Sequence, residues 1–184
     1  MKKFILASGS PRRIEMLKKW GFEFTIQKAK FNERKLSSPF ETVLYNAYGK
    51  AFSVAKKFKN EVVVGADTIV VINKKILGKP NNEKDLFDML TLLSGKKHYV
   101  LTGIAAIEGN KFVTDICKTE VGFKKLDKSE IQDYIKTGEG NDKAGGYAVQ
   151  GLGASFIEKI NGPLDNVIGL PINTLKKILK IIER

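Results

Sequence analysis

Four short stretches of this 184-residue chain carry side chains whose types and spacing could do chemistry. The first is Ser8-Gly9-Ser10-Pro11-Arg12-Arg13, where two hydroxyls and two guanidinium groups lie around a predicted helix start. A strand, a glycine turn and a helix N-terminus aim free backbone N–H groups at one point, and the helix dipole favours negative charge there. Arginine adds a planar fork suited to bidentate phosphate recognition. The stretch has neither the GxxxxGK[ST] nor the GxGxxG pattern. Taken alone, it reads equally as an ordinary capped helix with exposed arginines.

The second stretch is Gly65-Ala66-Asp67-Thr68, flanked on both sides by β-branched residues. A carboxylate in such surroundings is costly to bury unless it is paired, hydrogen-bonded or metal-bound. Asp67 is therefore either a turn residue at a strand end or a metal ligand or general base at the carboxyl end of a sheet strand, where open α/β sheets place their ligands. The third group is cationic, Lys79 in Gly78-Lys79-Pro80 and Lys50 on a long helix; either alone reads as solvent-facing. The fourth is Gly145-Gly146-Tyr147-Ala148-Val149-Gln150-Gly151. It reads as a turn between elements, or as a loop presenting the Gln150 amide, which both donates and accepts as base-edge recognition requires.

The elements that must hold these residues follow from periodicity and punctuation. A strand is expected over Lys3 to Ala7, then a helix from about Pro11 to Trp20 with Ser10 as N-cap and Gly21 as stop. A half-buried strand over Phe22 to Gln27 leads into a polar loop carrying Glu33. Ser38-Pro39-Phe40-Glu41 then opens a long helix to about Phe58. Val62 to Ile72 reads as two strands interrupted at Asp67. A helix over Asn82 to Leu93 stops at Gly95, and a long hairpin joins Tyr99–Ile107 to Phe112–Phe123 across Gly109-Asn110. A short helix capped by Asp127 ends at Gly138, before the glycine loop, a last strand over Ala154 to Ile160 and an amphipathic helix from Pro171 to Ile182. The whole predicts an α/β protein with a mixed sheet in one domain, residues 1–184, since no repeat or linker divides the chain.

Composition narrows the function classes. There are 32 Lys and Arg against 20 Asp and Glu, a formal charge of +12. Lysine supplies most of it in pairs scattered along the chain, with no zinc finger, RNP-like motif or basic tract with interleaved aromatics. Most of these lysines are expected on a solvated surface, so no stable nucleic-acid partner is predicted. A single Cys117 and a single His98 exclude an internal disulfide and a Cys/His zinc cluster, and both are read as structural. The apolar run after Lys2-Lys3 is too short for a secretory signal, and no stretch approaches the ~20 apolar residues of a membrane span. The expected location is the cytoplasm.

Six segments, LASGSPRR, GADTIVV, ILGKP, LSGKKHYVLTG, DKAGGYAVQG and NVIGLP, occur in this order over nearly the whole chain. Together they resemble the Maf family of nucleotide pyrophosphatases, also called septum-formation proteins. The resemblance implies a mixed α/β fold with a central cleft, related to the inosine-triphosphate pyrophosphatases. It also implies cleavage of a nucleoside triphosphate to the monophosphate and pyrophosphate with a divalent cation, Mg²⁺ or Mn²⁺. Carried over residue by residue, it makes Asp67 the proton acceptor and, with Glu33, a metal ligand. Ser8, Arg13, Lys50 and Lys79 become phosphate ligands, and Ser10 joins the substrate-binding set. Arg12, Thr68 and Gln150 match the branch that acts on dTTP and UTP, and the 7-methyl-GTP branch differs at those places. The sequence departs from the family at Asn32-Glu33, where an acidic pair is common, and at Gly162-Pro163-Leu164-Asp165, although Asn166 is retained. The implied partners are a small-molecule nucleotide and a second copy of the chain. The alternatives are a modified-nucleotide pyrophosphatase on the same fold and, in another class, a nucleic-acid-binding or cell-division regulatory protein.

Overall fold

The computed structural model describes residues 2–184. Its elements in chain order are β1 (Phe4–Leu6), α1 (Pro11–Lys19), β2 (Phe24–Ile26), α2 (Pro39–Ala55), β3 (Val62–Ile72), β4 (Lys75–Leu77) and α3 (Glu83–Leu93). They continue with β5 (Lys97–Glu108), β6 (Lys111–Phe123), α4 (Lys128–Lys136), β7 (Ile157–Asn161), α5 (Leu164–Ile168) and α6 (Ile172–Ile182). The strands form one seven-stranded sheet in the order β2-β1-β3-β5-β6-β7, with β4 paired to β3. β1 runs parallel to both β2 and β3, whereas β4 is antiparallel to β3 and β7 to β6. This is the expected α/β class with a mixed sheet.

The chain groups into two compact units. The first comprises the chain up to Thr68, Thr102–Cys117 and Gly169–Arg184; the second comprises Ile69–Leu101 and Lys118–Ile168. In the first unit the core is built from Ile5 of β1 and the adjoining Ala7, Ala47, Ala51 and Val54 of α2, Val63 of β3, and Ala105 and Ile107 of β5. Small residues on α2 let it lie close to the strands. A Cβ on Gly65 would stand 2.2 Å from the Ala47 carbonyl oxygen, and one on Gly103 would stand 2.5 Å from that of Val43. Those strand glycines are thus a packing requirement: any side chain there would lift α2 off the sheet. The second unit packs Leu86, Leu90 and Leu93 of α3 with Val100, Val121, Phe123, Ile131, Tyr134 and Phe156.

Local signals set the helix ends. The Ser38 hydroxyl accepts from the Glu41 N–H at the start of α2, with Pro39 at the first helical position. Asn82 caps α3 through the Asp85 N–H at 2.8 Å, and Asp127 with Glu130 forms a capping box on α4.

The structure corrects several boundaries. β3 is uninterrupted from Val62 to Ile72, so Asp67 lies within a strand and is only 4% exposed. The interruption is expected from the break in the apolar run at Gly65-Ala66-Asp67-Thr68; the strand continues because Asn46 and Lys50 of α2 pair the carboxylate. Strand β4 was not expected, because its hairpin turns on Asn73 and Lys74, both with positive φ and neither a glycine. Ser10 occupies the cap position of α1, but its side chain makes no capping bond. The last strand starts at Ile157 rather than Ala154, behind a 3₁₀ turn over Leu152–Phe156, and the short helix α5 was not expected.

Candidate active site

In the first unit, β3, α2 and the loop before α2 bring three of the expected residues to one point. Helix α2 lies against Gly65, which sets its inward-facing residues beside the strand positions that follow. Asn46 and Lys50 are four residues apart and share that face. The Lys50 ammonium donates to Asp67 Oδ1 at 2.7 Å and to the Ala66 carbonyl at 3.4 Å, and it pairs with Glu33 Oε1 at 2.6 Å. The side chains of Asp67 and Lys50 are 6% and 13% exposed, and that of Glu33 58%. The two carboxylates therefore converge on one cation position from opposite degrees of burial.

Asn46, buried to 3% exposure, was missed by the sequence reading. Its amide nitrogen donates to Asp67 Oδ2 at 3.0 Å and to the Arg34 carbonyl at 3.1 Å, while its amide oxygen accepts from the Arg34 N–H at 3.0 Å. It thus fixes Asp67 and, through Arg34, the loop that carries Glu33. The available signal was a polar residue one helical turn before Lys50, on the face that must meet the sheet. Phe31 of the same loop packs over Gly49, where a Cβ would stand 2.2 Å from the ring.

The same unit holds Arg13 by three of its five N–H groups. Nε donates to the Gly169 carbonyl at 2.9 Å, Nη1 to the Ser8 hydroxyl at 3.3 Å, and Nη2 to the Thr68 hydroxyl at 3.1 Å. Thr68 Oγ1 is in turn 2.9 Å from Thr102 Oγ1. Burial pushes the Arg13 guanidinium down, and the neighbouring Arg12 charge adds to this against the opposing charges of Asp67 and Glu33. Two guanidinium N–H groups are left over from this fixed geometry, as bidentate phosphate recognition needs. The Ser8 hydroxyl also accepts from the Ser10 N–H at 3.2 Å. Ser8, Ser10, Arg13 and Thr68 thus meet around the start of α1, with Arg12 half-buried on its first turn.

The second unit contains Lys79 and Gln150, both exposed. The Gly145 N–H donates to the Gly78 carbonyl at 2.9 Å, so the loop bearing Lys79 and the glycine loop are joined at their backbones. Gly145 and Gly146 have φ of 70° and 77°, and Cβ atoms there would stand 2.8 Å from Val70 and 2.3 Å from Leu86. In the same unit His98 is fully buried, its Nε2 2.7 Å from the Tyr147 hydroxyl and its ring against Phe123. Burial pushes the His98 imidazole down to about 4.

Two carboxylates aimed at one cation suit a hard divalent ion, which accepts one or two protein carboxylates and completes its shell with water and phosphate oxygens. Among the described residues no group of three or more His, Cys, Asp or Glu forms a complete protein cage. No described helix is long and apolar enough to cross a membrane.

The chain is 48% identical over 182 residues to a dTTP/UTP pyrophosphatase of Thermoanaerobacter sp. (strain X514), covering 97% of this chain and 95% of that protein. It is 44% identical over 183 residues to a dTTP/UTP pyrophosphatase of Pyrococcus furiosus, covering 98% and 96%. It is 47% identical over 182 residues to one of Bacillus cereus, covering 98% and 90%. The family model described as Maf-like protein matches residues 3–182, and with that span the chain belongs to the Maf-like protein family.

Proposed function

We propose that this chain is a nucleoside triphosphate pyrophosphatase that hydrolyses dTTP and UTP to the monophosphate and pyrophosphate, clearing such nucleotides from the cellular pool. The observation that carries this reading is the buried Asp67 carboxylate, which converges with Glu33 on the Lys50 ammonium in the same unit as a pre-positioned Arg13. Curated relatives of nearly equal length bear the same activity in their names.

A triphosphate brings about four negative charges, and in-line attack spreads further charge over the phosphate oxygens and the leaving group. Arg13, held rigidly by Ser8, Thr68 and Gly169, stabilises that charge without reorganising. Ser8, Ser10 and the first N–H groups of α1 add hydrogen bonds to phosphate oxygens. Lys50 and Lys79 are the further phosphate ligands. Glu33 and Asp67 would hold the divalent cation, Mg²⁺ or Mn²⁺, which when bound would screen phosphate charge and lower the pKa of water. Asp67 is the proton acceptor: a water oxygen attacks the α-phosphorus, the α–β anhydride bond breaks, pyrophosphate leaves, and the water proton passes to the carboxylate. Arg12, Thr68 and Gln150 are the residues by which the dTTP/UTP preference is set. Gln150 pairs with the O4 and N3 edge that uracil and thymine share.

Asp67→Asn tests the assignment. The amide keeps the size of the carboxylate but accepts no proton, and its NH₂ faces either the Lys50 ammonium or the Asn46 amide, so pyrophosphate release is expected to fall by about 10³-fold or more, with nucleotide binding retained. Turnover within ten-fold of the parent would remove Asp67 from the role of base.

A further inference from the structure

The glycine loop is tied down at three places, and the third has no part in the chemistry above. Its start is fixed by the Gly145 N–H on the Gly78 carbonyl, and its middle by the Tyr147 hydroxyl on His98. Beyond Gln150, the Glu139 carboxylate accepts from the Leu152 N–H at 2.8 Å through Oε2 and from the Gly153 N–H at 2.9 Å through Oε1. The Tyr134 hydroxyl, on a residue 4% exposed, donates to the same Oε1 at 3.0 Å and orients the carboxylate. The fit is close, since a Cβ on Gly151 would stand 2.2 Å from Glu139 Oε2. Partial desolvation pushes the Glu139 carboxyl up. The Gly153 and Leu152 amides, the Tyr134 hydroxyl and the Lys143 charge outweigh it and hold the group below the ordinary carboxylate range.

Gln150 is exposed, so its own packing does not fix where its amide points. The span Ala148–Gly151 lies between two anchors, Tyr147 on one side and the Glu139 clamp on the other. We propose that Glu139 is a positioning residue for base selection: its carboxylate clamps the Leu152 and Gly153 amides and so holds Gln150 in register with the pyrimidine edge. The inference rests on the dTTP/UTP reading and on Gln150 as its base reader. A bidentate acceptor is what two consecutive N–H groups require. An amide at position 139 would place an NH₂ against one of them, so the isosteric change breaks the clamp while conserving volume.

The test is a kinetic comparison of the parent, Glu139→Gln, Gln150→Ala and the double variant, each with UTP and with GTP, alongside thermal melting and amide exchange at Leu152 and Gly153. For Glu139→Gln the expected result is a KM for UTP raised about ten-fold, kcat at saturation within three-fold, little change with GTP and faster exchange of the two amides. The double variant is expected to be no worse than Gln150→Ala alone. If Glu139→Gln melts below the assay temperature, Tyr134→Phe removes one oriented donor and is expected to shift the UTP-to-GTP ratio in the same direction. Equal losses with both nucleotides, no loss with either, or additive losses in the double variant would overturn the clamp. Should Gln150→Ala itself leave the UTP-to-GTP ratio unchanged, base reading by Gln150 fails and the proposal fails with it. A shift in Gln150→Ala without one in Glu139→Gln condemns the clamp only.

Discussion

Lys50→Met probes the point on which the site is built. The ammonium lies 2.7 Å from Asp67 Oδ1 and 2.6 Å from Glu33 Oε1, and methionine keeps most of the stem while removing the charge. Loss of one partner of a buried ion pair costs about 3–5 kcal/mol, because the remaining charge is stranded. Asp67 keeps its bond from Asn46, a contact to a charged group worth about 1.5–3 kcal/mol. Glu33 is more than half exposed, so its separation from Lys50 adds no more than about 1 kcal/mol. The net expectation is the lower end of the buried-pair range, about 3 kcal/mol, which for a chain of this size is a fall in Tm of roughly 6–12 °C. Two further arms separate charge from packing. Lys50→Met/Asp67→Asn removes the stranded charge and is expected to recover most of the loss. Millimolar Mg²⁺ is expected to raise the Tm of Lys50→Met more than that of the parent, because the ammonium no longer competes for the two carboxylates. Differential scanning calorimetry at neutral pH reads all three. A single variant that melts with the parent, or a double variant no more stable than the single, would refute the reasoning.

Asn46→Ala removes the amide that joins Asp67 to Arg34; the expected cost is about 3 kcal/mol in urea melts and a ten- to hundred-fold loss in kcat/KM, as both carboxylates lose their registration. An unchanged kcat/KM would show that Asn46 is structural only. His98 predicts a pH dependence of stability. Its folded pKa of about 4 lies below the unfolded value of 6.5, so its contribution is complete above pH 6.5 and is lost as pH falls from there toward 4. Between pH 7.5 and 5.5 this amounts to about 1 kcal/mol, a difference that His98→Phe is expected to lack in paired chemical-denaturation curves. An identical slope in the variant would assign the pH dependence elsewhere.

The sequence made the helix starts and most strands legible because their signals are local: a serine cap before Pro39, a capping box at Asp127, the Gly109-Asn110 turn between the hairpin strands. Asp67, Lys50 and Glu33 were each named on chemical grounds or by resemblance, and the structure brings them together. What was not legible depends on contacts distant in the chain. β3 reads as broken at Asp67 until Lys50 and Asn46 are brought to it from α2, after which an ionised group within a strand is satisfied. Asn46 itself carried no motif. β4 was hidden because Asn73 and Lys74 make the left-handed turn without a glycine. Ser10 was expected to cap α1 through its hydroxyl, but Ser8 takes the Ser10 N–H instead, which only the fold of the Ser8–Arg13 turn reveals. Glu139 lay outside every recognised stretch, and its role emerges only from the path of the loop it holds.

Pyrophosphatase activity toward dTTP and UTP is tested most directly by measuring products from a nucleotide panel of dTTP, UTP, GTP, ATP and 7-methyl-GTP, with Mg²⁺ or Mn²⁺ and with EDTA. Pyrophosphate and the monophosphate are expected from dTTP and UTP in preference to the others, with no turnover in EDTA. Release of orthophosphate with a diphosphate product, a preference for 7-methyl-GTP, or no hydrolysis of any nucleotide would contradict it.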